Sequence, residues 1–258
     1  MVIRRIRGHL TSHNWFAVAI DVAIVVIGVF LGTQASNWND ARIERAEAAE
    51  YRREIVDDLK SNEADLASRR AYYSAAKQHA IAALAALESP GNERGEPFLI
   101  DAYQASQVWL RPLTRSGYDE MVGEGLSRNI GDRATRSRLT AYYTQIRQFD
   151  VTALSMTTYR ERLRRALPYS IQSAINAKCG DRVITLPGGA QVAALPDGCS
   201  VGLDETAVRS AVAKVEAAHL VEDLTRHIAD LDQKLAGFDR FGRIARELRV
   251  RLQGQGAD

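Results

Sequence analysis

The most continuous pattern along the chain is an apolar run near its start. Residues 15–36 read WFAVAIDVAIVVIGVFLGTQAS, and the single charge among them is Asp21. Wound as an α-helix, these 22 residues rise about 33 Å, close to the hydrocarbon thickness of a bilayer. Trp15 and Trp38 stand near the two ends, where indoles favour the membrane interface. The pattern predicts one transmembrane helix over 15–36, preceded by a short segment (1–14) and followed by a domain (37–258).

After residue 36 the pattern changes to that of water-exposed helices. Residues 41–88 contain no Pro or Gly and are rich in Ala, Glu, Arg and Leu, so the helix is predicted to continue. Ile55, Leu59, Leu66, Tyr73, Ala80 and Leu84 keep roughly one face, which predicts that its outer end packs on a neighbour. Ser89-Pro90-Gly91 stops it. Pro97 and Pro112 bracket a shorter helix around Leu99–Leu110. Gly117, Gly123, Gly125 and Gly131 make 113–131 a connector with a short helix. A second long helix is predicted from Arg133 to Ala177, kinked at Pro168.

Val183-Ile184-Thr185-Leu186 and Gln191-Val192-Ala193-Ala194, on either side of Pro187-Gly188-Gly189, predict a small hairpin. Asp204 is a candidate N-cap for a last long helix reaching about Leu252. Its apolar face is Val212, Val215, Leu220, Leu224, Ile228, Leu231 and Leu235, and Gly237 and Gly242 are candidate interruptions. The fold class expected is all-α: one N-terminal transmembrane helix running on into an elongated helical bundle with a small stapled loop.

Charge gives the anchor an orientation. Arg4, Arg5 and Arg7 precede it without an acid, whereas Asp40, Arg42, Glu44, Arg45 and Glu47 follow it as a mixture. The positive-inside rule puts the N-terminus in the cytoplasm and residues from about 37 onward outside, which in a bacterium is the periplasm beyond the inner membrane. A cleaved signal peptide is the competing reading, with Thr33-Gln34-Ala35 as a weak cleavage site. The late start of the apolar stretch and its internal acid count against it. The net charge of +2 and the lack of a basic run after residue 41 argue against a nucleic-acid partner.

Cys179 and Cys199 flank a Gly- and Pro-rich segment, 179–199, and suit a disulfide in an oxidising compartment. The alternative is two unrelated free thiols. The compartment agrees with the one reached from charge.

A helical projection at 100° per residue sharpens the anchor. Asn14, Ala17, Asp21, Val25, Gly28, Gly32, Ala35 and Asn39 fall within about 40° of one line. Apart from Val25 the stripe is small or polar. Gly28 and Gly32 have the small-xxx-small spacing that lets two helices approach closely. Asp21, Gly28, Gly32 and Ala35 are therefore the candidate membrane-helix interface, with a membrane protein or a second copy of the chain as partner. Three roles for Asp21 compete: snorkelling toward water and the N-terminal arginines, a polar lock between helices, and proton or ion handling. Ile20-Asp21-Val22 before an apolar run resembles the membrane helix of the small energising subunits that work with proton-driven motor proteins. That likeness covers about a dozen residues.

Two stretches resemble a family of uncharacterised single-pass bacterial membrane proteins. The first is VVIGVFLGTQASNWNDARIER at 25–45, where Gln34, Asn37, Trp38 and Asn39 match an apolar helix that ends in Gln and Asn-Trp-Asn. The second lies within 116–143, where Tyr118, Gly125, Leu126, Ile130, Asp132, Arg136, Tyr142 and Tyr143 match. Together they cover about a fifth of the chain. The resemblance implies a membrane location and a shared helical domain, and it implies no activity.

Catalytic motifs add little. HExxH, Walker, GxSxG and CxxC patterns are absent from the sequence. Ser74-Ala75-Ala76-Lys77 spells SxxK without its companion motifs, inside a helical stretch. His219, Asp223 and His227, with Glu222 beside them, are spaced like metal ligands, but two turns of one straight helix cannot bring three ligands to one ion. Tyr72-Tyr73 and Tyr142-Tyr143 suit a bundle core better than a ligand box. The function expected is non-enzymatic, with no cofactor: a membrane-anchored helical domain that binds or scaffolds a partner protein. The alternatives are an ion-handling subunit using Asp21 and a periplasmic sensor of a small molecule.

Overall fold

The computed structural model describes residues 15–89, 94–109, 111–153, 155–185, 191–196 and 198–254. The predicted basic segment 1–14, the Pro90-Gly91 stop, Leu110 and the Pro187-Gly188-Gly189 turn lie outside them, as does the side chain of Ala17. One helix, α1 (Trp15–Glu88), runs for 74 residues through the apolar segment and on into the domain, a length of roughly 110 Å. Among the described residues it is the one helix long and apolar enough to cross a membrane.

The second long element is α8 (Val221–Gly254). The buried positions of α1 from Ile55 onward are Ile55, Leu59, Asn62, Leu66, Arg69, Tyr73, Ala76, Ala80 and Ala83, with Tyr72 beside them. Those of α8 are Leu224, His227, Leu231, Lys234, Phe238, Phe241, Ala245, Leu248 and Leu252. Both series advance by alternating threes and fours, the repeat that winds two helices into a left-handed coiled coil. The helices are antiparallel. Glu63 pairs with Arg249 at 2.5 Å and Arg246 at 3.4 Å, Arg70 with Asp239 at 2.7 Å, and Lys77 with Asp232 at 2.5 Å. Each pair is one heptad from the next on both helices. Such pairs at the bundle surface, exposed or half-buried, contribute about 0.2–1 kcal/mol each, so their role is to fix register more than to hold the helices together.

The shorter elements close around this seam. They are α2 (Glu96–Ala105), α3 (Ser116–Gly123), a 3₁₀ turn (Leu126–Asn129), α4 (Arg133–Ala153), α5 (Thr158–Ala166), α6 (Tyr169–Cys179), the hairpin β1 (Arg182–Thr185) and β2 (Gln191–Ala194), and α7 (Glu205–Ala217). Helix α4 brings Tyr142, Tyr143 and Phe149 to the seam. Phe149 lies 5.4 Å from Phe238 and 4.9 Å from Phe241 between ring centroids. The hairpin is antiparallel, with Arg182 opposite Ala194, and Val192 and Ala193 buried. Arg111 Nη1 donates to the Gln191 carbonyl at 2.9 Å and helps dock it.

Four predicted boundaries move. The helix expected at Leu99–Leu110 is α2, which starts before Pro97 because a proline in the first turn has no hydrogen bond to lose. It ends where Ser106 and Gln107 N–H groups fold back onto the Tyr103 and Gln104 carbonyls. Gly117 and Gly123 lie inside α3 and do not break it. The single helix predicted over Arg133–Ala177 is three. Thr157 caps α5 by accepting the Arg160 N–H at 3.3 Å, and Pro168 opens α6 instead of kinking a continuous helix. The last helix is likewise two, separated at Ala218–Leu220, where His219 takes φ 47°. Asp204 caps α7 as predicted, accepting the Ala207 N–H at 3.0 Å. Neither Gly237 nor Gly242 interrupts α8.

Candidate functional site

The candidate interface on the apolar start of α1 is built by periodicity alone. Asp21, Gly28, Gly32 and Ala35 lie on the first third of α1, where every side chain described from 19 to 40 is exposed, Trp15 at 81% and Trp38 at 66% among the flanking indoles. A Cβ added at Gly28 or Gly32 would meet nothing within 4 Å. The Thr33 hydroxyl is satisfied within the helix by the Phe30 carbonyl at 2.9 Å. Gln34, Asn37 and Asn39 are exposed on the same segment.

The phase of this face relative to the bundle is informative. Ala48 is the first buried side chain of α1 after the apolar segment. Counting at 100° per residue puts it roughly 180° from Asp21 around the helix axis. The positions that continue the Asp21 line beyond the apolar segment, Ile43, Ala46, Glu50, Arg53 and Asp57, are exposed. The small-residue face is therefore on the side of α1 that the chain's own helices leave open. Since no break separates the apolar segment from the seam, the two faces are held in fixed phase.

The second family-like stretch, 116–143, is a packing device at the near end of the bundle. Asp58 of α1 gathers its start: it accepts the Gly117 N–H at 2.8 Å and the Thr114 hydroxyl at 3.2 Å. Gly117 must be a glycine, because a Cβ there would lie 2.9 Å from Glu54 Cβ. Gly125 has φ 74°, a left-handed conformation that glycine adopts without strain. Ile130 is fully buried. Asp132 caps α4 by accepting the Thr135 N–H at 2.6 Å, which together with further hydrogen bonds holds its carboxyl below the usual range. Arg136 donates to the Gly131 carbonyl at 2.7 Å. Tyr118 stacks on Tyr143 at 4.3 Å, Tyr143 meets Tyr142 edge-on at 5.0 Å, and Leu126 packs beside them. Burial raises both Tyr142 and Tyr143 above the ordinary phenol range. The matched residues thus share one structural task, seating α3 and the start of α4 on α1.

Cys179 and Cys199 form a disulfide with Cα atoms 5.8 Å apart. The segment after it is fastened to α2 by Glu96. One oxygen accepts the Val201 N–H at 2.6 Å and the Ser200 hydroxyl at 3.0 Å, and the other accepts the Leu203 N–H at 2.6 Å. Burial alone would raise the Glu96 carboxyl, but the backbone donors of Leu203, Val201 and Gly202 outweigh it and lower its pKa. Before the disulfide, Gln104 donates to the Cys179 carbonyl, and the Tyr72 hydroxyl donates to Asp181 at 2.9 Å.

The other candidates separate. Lys77 of the SxxK stretch pairs with Asp232 at 2.5 Å. His219 is in the turn before α8, Asp223 pairs with Arg162, and His227 Nε2 meets the Ala105 carbonyl at 2.8 Å. The predicted line of three possible ligands is thus dispersed among three structural tasks. Tyr72 and Tyr73 are core residues; the Tyr73 hydroxyl accepts the Trp109 N–H at 3.2 Å. Sequence reasoning missed the buried polar positions of the seam, Asn62, Arg69, His227 and Lys234. The spacing of Leu231, Phe238, Phe241, Ala245, Leu248 and Leu252 carried the signal, because extending that repeat backward lands on Lys234 and His227 rather than on Leu235 and Ile228. Compared with known protein families, curated proteins and solved structures, the chain matches none.

Proposed function

We propose that the chain is a single-pass protein of a bacterial inner membrane, with its N-terminus in the cytoplasm, whose periplasmic helical domain binds or scaffolds a partner protein without enzymatic activity. The observation that carries this reading is the open face of Asp21, Gly28, Gly32 and Ala35, set opposite the side of α1 that the bundle covers. A helix packing on that face approaches closely at the two glycines and continues past the bundle without colliding with it. Asp21 within the face is satisfied by a polar group of the partner helix, which removes the cost of a carboxylate facing lipid. The mixed charges after residue 40, the arginines before the apolar segment and the disulfide support the same topology.

The unbroken α1 gives the scaffold its mechanics. Tilting or rotating the anchor against a partner moves the coiled coil as a lever, because no loop intervenes to absorb the motion. The reading is tested by replacing Gly28 and Gly32 together with Ile and measuring association in native membranes by energy transfer between tagged chains and by co-purification of membrane partners. Assembly should fall strongly while insertion persists. Unchanged assembly with the native partners removes the anchor face from the account.

A further inference from the structure

One polar seam residue has no counter-ion. Lys234 is 7% exposed, yet its ammonium forms no hydrogen bond or ion pair with any described residue. It lies over the face of Tyr73, 5.4 Å from the ring centroid. Burial lowers its pKa, and Asp230, one turn away on the same helix, opposes this only in part. The side chain is largely buried while the ammonium, which lines a cavity, has no anionic partner, and a coiled-coil position filled this way calls for one.

Lys234 lines a cavity of about 570 Å³ between the end of α4, the connector at 155–157 and α8. The size is that of a small-ligand pocket. Phe149, Ala153 and Gly237 give it an apolar wall, and Thr152, Ser155 and Thr157 give it polar groups. Arg226 and Arg240 also line it and are exposed, with Asp230 as the only acid among its lining residues, so the cavity is net cationic. His227 borders a smaller adjoining cavity, and its Nδ1 is buried with no partner among the described residues.

We propose that this cavity binds a small organic carboxylate, whose headgroup pairs with the Lys234 ammonium and whose apolar body lies along Phe149. A monoanion suits the site better than a phosphate dianion, because Asp230 shares the wall with the cations. Arg226 and Arg240 at the rim attract the ligand, and Lys234, its stem buried in the seam, supplies the charge partner. The site is independent of the anchor face and stands or falls separately from it.

The test uses the full chain in lipid nanodiscs, titrated calorimetrically with benzoate and acetate, with inorganic phosphate as comparison and chloride holding ionic strength constant. Benzoate should bind saturably and more tightly than acetate, and Lys234→Met should lose at least tenfold in affinity. Lys234→Arg should retain most of the binding, and Asp230→Asn should strengthen it several-fold. Folding of the Met variant is checked by circular dichroism, and the Arg and Asn variants carry the test if it does not fold. Absence of saturable carboxylate binding, equal binding by Lys234→Met, or preference for phosphate over both carboxylates each overturns the proposal.

Discussion

Phe149 lies so close to Gly237 that a Cβ there would stand 2.3 Å from its Cε2 atom. The glycine is what admits the ring to the seam, where it also meets Phe238 and Phe241. A helix interior normally gains about 1 kcal/mol when Gly becomes Ala. At this position the gain is overwhelmed by displacement of the ring, so Gly237→Ala should destabilise the domain by about 1–3 kcal/mol. Gly242, five residues further on the same helix, has only Leu66 Cβ at 3.9 Å, and Gly242→Ala should stabilise by about 0.5–1 kcal/mol. Chemical denaturation of the two variants side by side measures both signs; a stabilising Gly237→Ala would contradict the packing.

Arg69 is the most demanding group in the core. At 2% side-chain exposure it binds Asp65 at 2.9 Å and Asp150 at 3.5 Å and also donates to the Arg111 carbonyl, while Asp150 accepts the Leu113 N–H at 3.0 Å. It joins α1, α4 and the connector before α3. Arg69→Met leaves two carboxylates without their cation, one of them with its pKa already raised by burial. The expected loss is about 3–5 kcal/mol by denaturant unfolding. Arg70→Met, which breaks only the exposed pair with Asp239, should cost no more than about 1 kcal/mol.

Much of this architecture is legible in the sequence, and what is not has physical causes. The apolar run, the Pro- and Gly-free continuation and the Cys pair each act through one local rule, and α1, the hairpin and the disulfide follow from them. The break at 155–157 is set by a threonine cap on a chain with ordinary helix propensity, and the break at His219 by a turn that carries no Gly or Pro. Neither leaves a strong local mark. The polar seam positions were obscured for another reason. Reading apolar residues alone favours Ile228 and Leu235, whereas the heptad geometry of two long helices buries His227 and Lys234.

Glu96 makes stability depend on pH in a defined direction. Its folded pKa is lowered, so its contribution is fully present above the ordinary glutamate value of about 4.3 and is lost as pH falls through the lower folded value. Glu96→Gln keeps one acceptor but sets an amide donor against backbone N–H groups, at a cost of about 1–2 kcal/mol near neutrality. Unfolding curves from pH 7 down to pH 3 should show the gap between native and Gln forms shrinking with acidity. A gap that widens would contradict the anchoring of the 200–203 segment by the ionised carboxylate.

The disulfide holds the same region. Its sequence separation of 20 implies a loop-closure contribution of about 3 kcal/mol. Cys179→Ser with Cys199→Ser should lower stability by that order and loosen the hairpin and the turn held by Glu96, while α1 and α8 keep their seam. Hydrogen exchange resolves the two regions: protection should drop over 182–204 and persist over 55–83 and 224–252.

We propose that the apolar start of α1 presents one face to another helix, on the side the bundle leaves open. Diazirine side chains placed one at a time at Val25, Val26, Phe30 and Ala35, and activated in native membranes, test it most directly. Adducts to protein should form at Val25 and Ala35, while Val26 and Phe30, on the opposite side of α1, should label lipid. Equal protein adducts at all four positions, or protein adducts only at Val26 and Phe30, would contradict the account.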